Sequence, residues 1–508
     1  MDKARKRDFI KNGLMLTAAM LGMRTVSLFF NAFITREVGA EGVGLYTVIM
    51  SVYGFAVTFA TSGISLTMTR LTAERIGVGR ADEVRGVLLG GIIFALIFSL
   101  TAGLVLYFGA GFFARSVLDD IRCESSLRIL APSLLPLSLV SVFTGYFVGI
   151  RQVSRNATLQ ILGQLFKVGI TVLLLLRVKD MGTEAAAAAL ALGTTLTELA
   201  CFAVVLIQYL FDKAYKGRCR PELSSVVRGA SPLAASAYVR QALLTLEHIL
   251  IPRGLKKYGG NEAQALAAYG TLHGMALPTV IYPMAVLSSF AGLLVPEFAE
   301  RRARGDGVGE KSLAKKSLEM TLRYGILASA LLFVFSEELG YVIYSSREAG
   351  IYIGILSLVV PIMYLDHVTD AILKGIGEQV FSMWINITDS LLSIILVWLL
   401  IPKIGILGYA VAIIIMELYN FILSYIRLRT RICFKISILS SVGAPLLCAT
   451  LGGLITRSLF LCAGAQVNAP WLVAELIFAL CVYLGLSHLL SLILDKVREQ
   501  KNKKRSTI

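Results

Sequence analysis

Stretches of about twenty apolar residues recur along this chain, and that pattern decides what it can fold into. They centre near Leu21, Val57, Phe94, Leu139, Gly169, Leu196, Leu243, Val280, Leu331, Leu356, Leu391, Ile414, Leu447 and Leu480, with loops rich in Arg, Lys, Gly or Pro between them. In hydrocarbon every backbone amide must be paired within its own segment, so a run of this length crosses a bilayer only as a helix; a barrel strand would be half as long. With 56% hydrophobic and 16% charged residues in 508, the expected fold class is an all-α integral membrane protein of about fourteen transmembrane helices.

The first apolar stretch, Gly13 to Thr35, is followed by nothing like a small-residue cleavage site, so it reads as a retained span and not as a removed signal peptide. A net charge of +16 would suit a nucleic-acid partner, but the basic residues sit in short loops where they set topology. With the amino terminus cytoplasmic, 34 of the 49 Lys and Arg fall in inner segments and 12 in outer loops. Both termini are therefore expected inside, and membrane lipids, not nucleic acid, are the expected surroundings. The outer loop with Arg253, Lys256 and Lys257 runs against this rule. The tail DKVREQKNKKRSTI reads as a basic anchor for anionic inner-leaflet lipid.

An internal repeat is visible at a spacing of 226: Ala73-Glu74-Arg75 recurs as Ala299-Glu300-Arg301, and Gly149-Ile150 as Gly375-Ile376. Glu198-Leu199 and Glu417-Leu418 occupy roughly matching places in spans six and twelve. Two six-span lobes of one orientation are implied, residues 1–228 and 229–436, with spans thirteen and fourteen and the tail as an appendage, 437–508. A parallel duplication of this kind puts a pseudo-twofold axis along the membrane normal with a cavity between the lobes, as in several secondary transporters.

Arg24, Lys167 and Arg240 lie near the middles of spans one, five and seven, where an unpaired charge is costly and faces a wet cavity or a partner. Each is roughly 15 to 22 Å from the inner end at 1.5 Å per residue, so the three share a depth. Together with Asn31 they form the candidate set for an anionic head group, because guanidinium forks grip phosphate oxygens bidentately. Internal salt bridging, for example Arg240 with Glu247, is the alternative use of the same charges.

Acidic and imidazole groups gather in span ten as Asp366, His367 and Asp370, with Asp389 in span eleven and Glu417 in span twelve. The four carboxylates are the candidate residues for coupling to Na⁺ or H⁺; exposure of the span-ten pair to cytoplasmic water is the competing account. His248 and His273 read as interhelical hydrogen-bonding groups in preference to proton relays, and the same two readings are open for Glu198 and Glu475. Span eight carries Pro278 and Pro283 and is expected to bend there, with Pro296 closing it. GDGVGEKS from Gly305 misses the phosphate-loop spacing by one residue, follows no strand, and reads as a flexible loop. Seven scattered cysteines and four histidines offer no metal site, no nucleophile and base stand together, and no cofactor is implied, so an enzyme is not expected.

Three stretches carry a family resemblance: LEHILIPRGL (Leu246 to Leu255), GMALPTVIYPMAVLSSFAGLLVPEFAE (Gly274 to Glu300) and AFITREVGAEGVGLYTVIMSVYG (Ala32 to Gly54). They resemble the stage V sporulation protein B group of polysaccharide-precursor transporters, in the superfamily of multidrug and toxin extrusion transporters and lipid II flippases. The resemblance implies a V-shaped pair of helix bundles that alternates between inward-facing and outward-facing states, carrying a lipid-linked anionic saccharide or peptidoglycan precursor without ATP. Arg24 looks like the span-one arginine of lipid II flippases that meets the substrate diphosphate, and Lys167 resembles a basic position of the sporulation group. Gly163 departs from that group, where an acidic residue often stands. A cation antiporter of the multidrug type and a non-transporting scaffold for envelope polysaccharide synthesis are the competing readings.

Overall fold

Long apolar runs with few helix breakers dictate helices, and several of their ends fall at a glycine, a proline or a capping side chain. The computed structural model describes residues 3–178, 181–211, 220–259, 261–434, 442–462, 468 and 470–487. The helices are α1 (Lys3–Thr61), α2 (Ile64–Gly77), α3 (Val84–Phe112), α4 (Cys123–Leu130), α5 (Leu134–Gly149), α6 (Val153–Val178), α7 (Thr183–Leu210), α8 (Leu223–Tyr258), α9 (Glu262–Tyr269), α10 (Leu277–Ile281) and α11 (Met284–Ala303). Then follow α12 (Gly307–Val334), α13 (Ser336–Tyr344), α14 (Arg347–Ser357), α15 (Val360–Gly375), α16 (Gln379–Ile404), α17 (Ile406–Arg431), α18 (Ala444–Cys462) and α19 (Pro470–Ser487). The basic tail lies outside the described residues.

Among the described residues nine helices are long and apolar enough to cross a bilayer, and two bent pairs raise the number to eleven. The first of the nine, Leu21–Gly77, has 57 residues, more than twice what one crossing needs, and turns at Gly39 (φ 76°, ψ 170°), so it holds two spans. Helix α8 is 36 residues long but carries six basic or acidic side chains, and α18 is a shorter apolar helix. Counted this way, the described helices supply the fourteen expected spans. Phe29, Leu104, Phe108, Leu173, Trp384 and Trp398 are more than half exposed, which suits lipid and not water.

By contacts the chain divides into one unit of Met1–Arg36, Thr271–Asp389 and Leu407–Ile508, and another of Glu37–Gly270 and Ser390–Ile406. In the second, Ile64, Met68, Val87, Phe94, Phe143 and Phe147 form a core joining α2, α3 and α5, onto which Val205 of α7 and Val226 of α8 pack. Helix α1 meets α9 and the residue that follows it backbone to backbone there: a Cβ on Gly44 would collide with the Leu266 carbonyl, and one on Gly270 with that of Ala40. In the first unit α12 packs on α15, and Leu327 and Ala330 of α12 pack on Cys448 and Ala449 of α18.

The spacing of 226 is matched by backbone chemistry. After α2, Val78 N donates to Glu74 O, Gly79 N to Ile76 O and Arg80 N to Arg75 O; after α11, Arg304, Gly305 and Asp306 donate to Glu300, Arg302 and Arg301 in the same pattern. Gly79 and Gly305 take φ of 77° and 70°. After α5 and α15 the pattern recurs at Ile150, Arg151 and Gln152 and at Ile376, Gly377 and Glu378, with Arg151 (φ 64°) in the place of Gly377 (φ 88°). These are left-handed helix stops that satisfy the last carbonyls of each helix.

Both repeats also break their second span. Helix α1 stops at Thr61 and α2 resumes at Ile64 across Gly63, while α10 stops at Ile281 and α11 resumes at Met284 across Pro283, with a 59° bend in the pair that contains the proline. Pro296 does not close this span as expected; it sits inside α11, which runs on to Ala303. Nor is GDGVGEKS a loop: Asp306 accepts from Gly309 N at 2.8 Å and caps α12, which begins at Gly307. An acceptor side chain two or three residues ahead of free amides is enough to start a helix.

Candidate functional site

Arg24 on α1 is exposed, and among the described residues it makes no ion pair or hydrogen bond. Its neighbour Thr25 is fixed by its own turn, Oγ1 donating to Leu21 O at 2.8 Å, and lies 2.7 Å from the Tyr282 hydroxyl at the break in span eight. Two turns along, Asn31 Nδ2 donates to Gly274 O at 2.6 Å. Gly274 belongs to the π-helical turn Gly270–Ala276, whose wider pitch leaves carbonyls off the normal ladder, and Asn31 meets one of them. The amide nitrogen of Asn31 is thus engaged in holding span one to span eight.

Arg240 on α8 is likewise exposed, without an ion pair or hydrogen bond among the described residues. Nearby, Tyr238 donates its hydroxyl to Phe59 O at 3.1 Å and Thr245 its hydroxyl to Ser51 O at 3.0 Å, which fixes α8 along α1 on either side of the arginine. Unpaired guanidinium groups on fixed helices keep all their donors for an incoming anion.

Lys167 on α6 has an acidic neighbour that the sequence did not reveal. Helices α6 and α7 are so close that a Cβ on Gly163 would lie 3.1 Å from Cys201 Sγ, and one on Gly193 would press on Thr171. Midway between these contacts the antiparallel register sets Lys167 beside Thr197 and Glu198. The charge that acts on Lys167 is that of Glu198, and the reverse holds.

The carboxylates of spans ten to twelve come together within one unit. Asp366 on α15 hydrogen-bonds Ser424 on α17 and feels Asp370 and Asp389; Glu417 on α17 feels Asp366 and Asp389. Asp370 is paired with Lys374 and bonded to Ser382, so it is the most committed of the four. All four are half-buried, and Asp366 Oδ1 and Asn420 Oδ1 are buried without a hydrogen-bond partner among the described residues. No three acidic or imidazole groups among the described residues stand close enough to ligate one metal ion.

Arg253, Lys256 and Lys257, expected in an outer loop, stand instead in the last turns of α8, where the first two find partners. Arg253 Nη2 donates to Val117 O at 2.8 Å at the end of the span begun by α3, and Lys256 Nζ lies 3.2 Å from both Asp119 and Glu262. Beside them Arg122 holds Asp120 at 2.8 Å and Glu41 at 2.7 Å. A cavity of about 20 Å³ lies among Asp120, Arg253, Lys256 and Glu262, room for a water and not for a saccharide.

The model of a family described as polysaccharide biosynthesis protein matches residues 9–301, more than half of the chain. The chain belongs to this family. A second model, MatE, matches residues 257–399. Among curated proteins, stage V sporulation protein B of Bacillus subtilis (strain 168) is 25% identical over 80% of this chain and 81% of its own length. Lipid II flippase MurJ of the same organism is 22% identical over 87% of each. A solved structure of lipid II flippase MurJ in an inward-closed conformation superposes with a TM-score of 0.71 at 14% identity, covering 95% of this chain and 99% of that one. An inward-facing multidrug-resistance MATE transporter gives 0.66 over 82% and 98%. This chain and these transporters thus share one multi-pass, all-α membrane fold.

Proposed function

We propose that this protein is a secondary transporter that flips an anionic lipid-linked oligosaccharide or peptidoglycan precursor across the cytoplasmic membrane by alternating access, with both termini cytoplasmic. The observation that supports this reading is that Arg24 and Arg240, which the sequence puts near the middles of spans one and seven, are exposed and without a carboxylate partner among the described residues. An unpaired guanidinium at that depth is kept at a cost unless an anion comes to it. Arg24, Arg240 and Lys167 would hold the phosphate linkage, with Asn31 holding the helix that presents Arg24. The relatives named stage V sporulation protein B and lipid II flippase support a role in envelope assembly. No catalytic group is assigned.

The carboxylates Asp366, Asp370, Asp389 and Glu417 would couple transport to H⁺ or Na⁺, since three of them repel one another and gain by taking up a positive charge. The same cluster, with the MatE match over residues 257–399, favours a cation antiporter as the second reading. Liposomes holding the purified protein and a labelled polyprenyl-diphosphate saccharide separate the two. Leaflet exchange of the lipid that needs Arg24 supports the flippase; export of a cationic dye that needs Glu417, with no lipid exchange, supports the antiporter.

A further inference from the structure

Lys167 belongs to a polar face of α6. Gln160, Gln164, Lys167 and Thr171 recur at helical spacing on one side, while Ile161, Leu165, Leu173 and Leu176, each more than half exposed, occupy the other. In a bilayer the second face meets lipid, so Lys167 lies on the side of α6 turned from it. On α7 the same division holds: Leu192, Leu196, Leu199 and Ile207 are exposed, and Glu198 lies off that stripe, half-buried.

The pair is coupled without being locked. Lys167 and Glu198 act on each other through space, yet among the described residues Lys167 makes no hydrogen bond or ion contact. Among the described residues, the Tyr53 hydroxyl of α1, held 2.6 Å from Ser133 Oγ, and the Cys201 thiol on its own helix also feel Glu198. None of them is cationic, so Lys167 is the positive charge that Glu198 answers. At the matching place in the second repeat, Glu417 is faced by carboxylates instead.

Resting on the flippase reading above, we propose that Glu198 is the resident counter-ion of Lys167: it neutralises the lysine when the transporter is empty and yields it to the phosphate of the lipid-linked substrate. Glu198 is a positioning residue, acting on the substrate through Lys167. An ammonium left bare in the empty protein would hold stray anions and oppose the return of the unloaded carrier, because a lone charge at that depth is expensive. A glutamate one register step away removes that charge without filling the lysine's donors. The substrate's doubly charged linkage outcompetes the single carboxylate.

The test is binding of farnesyl diphosphate, with farnesol as the uncharged control, to the purified full chain in nanodiscs, alongside melting temperatures and leaflet exchange. Glu198→Gln is expected to tighten farnesyl diphosphate binding about tenfold, the effect of removing one opposed charge in a partly wet site, while slowing exchange. Lys167→Gln is expected to weaken binding about as much, and the double variant to bind like Lys167→Gln alone, since the glutamate acts only through the lysine. A merely structural ion pair cannot produce tighter binding on breakage. Unchanged or weaker binding by Glu198→Gln, in a wild type that binds and exchanges normally, overturns the counter-ion role and leaves the flippase reading standing. A wild type that neither binds farnesyl diphosphate nor exchanges lipid overturns both.

Discussion

Gly149 on α5 lies against Thr72 on α2 so closely that a Cβ at 149 would stand 2.7 Å from the threonine Cβ. The contact recurs 226 residues later, where a Cβ on Gly375 would stand 2.9 Å from that of Phe298, the counterpart of Thr72. Both distances are shorter than any relaxed packing allows, so each glycine is there to let two spans touch. Gly149→Ala and Gly375→Ala are each expected to destabilise the detergent-solubilised protein by about 1–3 kcal/mol through overpacking. Thermal unfolding measures it, and melting points equal to wild type would show that the spans have room.

The left-handed stop shared by Arg151 and Gly377 differs in one respect: an L-residue with a side chain in that conformation costs about 1–2 kcal/mol, and glycine does not bear it. Arg151→Gly is therefore expected to leave stability unchanged or raise it by up to about 1 kcal/mol, and Gly377→Arg to lower it by a similar amount. Opposite signs in paired melting curves are the diagnostic; a loss in both would assign Arg151 a contact of its own.

For transport, Arg24→Ala is expected to reduce leaflet exchange at least tenfold, equivalent to about 1.4 kcal/mol, while the protein reaches the membrane in normal amount. Arg24→Lys should retain part of the activity, because an ammonium keeps the charge but not the bidentate fork. Exchange by Arg24→Ala at the wild-type rate would remove the arginine from the substrate's path.

A pH effect follows from Glu378, between α15 and α16. The hydrogen bonds from Arg427, at 2.8 and 3.1 Å, hold its carboxyl below the usual range, and Arg431 adds to this at 2.6 Å. A carboxyl with a depressed folded value stabilises the fold above its unfolded value, near ~4.3, and that contribution fades as the pH falls through the folded value. Glu378→Gln is expected to lower the melting temperature at pH 7 and to show a smaller deficit at pH ~3 to 4, below the unfolded value. An equal deficit at both values would mean that shape, not charge, is what the glutamate supplies.

Span number and the internal repeat were readable in the sequence because both are local: length and hydropathy fix a span, and the residues that close each helix recur at one spacing. The break at Gly63 was not readable, since one glycine in an apolar run costs only about 1 kcal/mol and does not force a stop, whereas Pro283 removes a donor and does. Pro296 misled in the other direction, because a single lost hydrogen bond can be absorbed inside a longer helix. Arg24, Lys167 and Arg240 stood out as charges in apolar runs. That Glu198 acts on Lys167 did not, because its place depends on how two neighbouring helices are aligned, and no spacing along the chain encodes that. The same is true of Asp119 and Glu262, which absorb Lys256, and of the Val117 carbonyl that takes Arg253.

The meeting of α1 with α9 and the residue that follows it, at Gly44 and Gly270, sets a limit on how this chain can drift. Where a glycine faces a side chain, a later substitution in the neighbour can make room for a larger residue. Here the obstacle at each position is main-chain carbonyl, which every amino acid carries, so no compensating change elsewhere can open the space. These two positions can lose their glycines only by the helices parting, so any side chain there tests whether this chain can tolerate that separation.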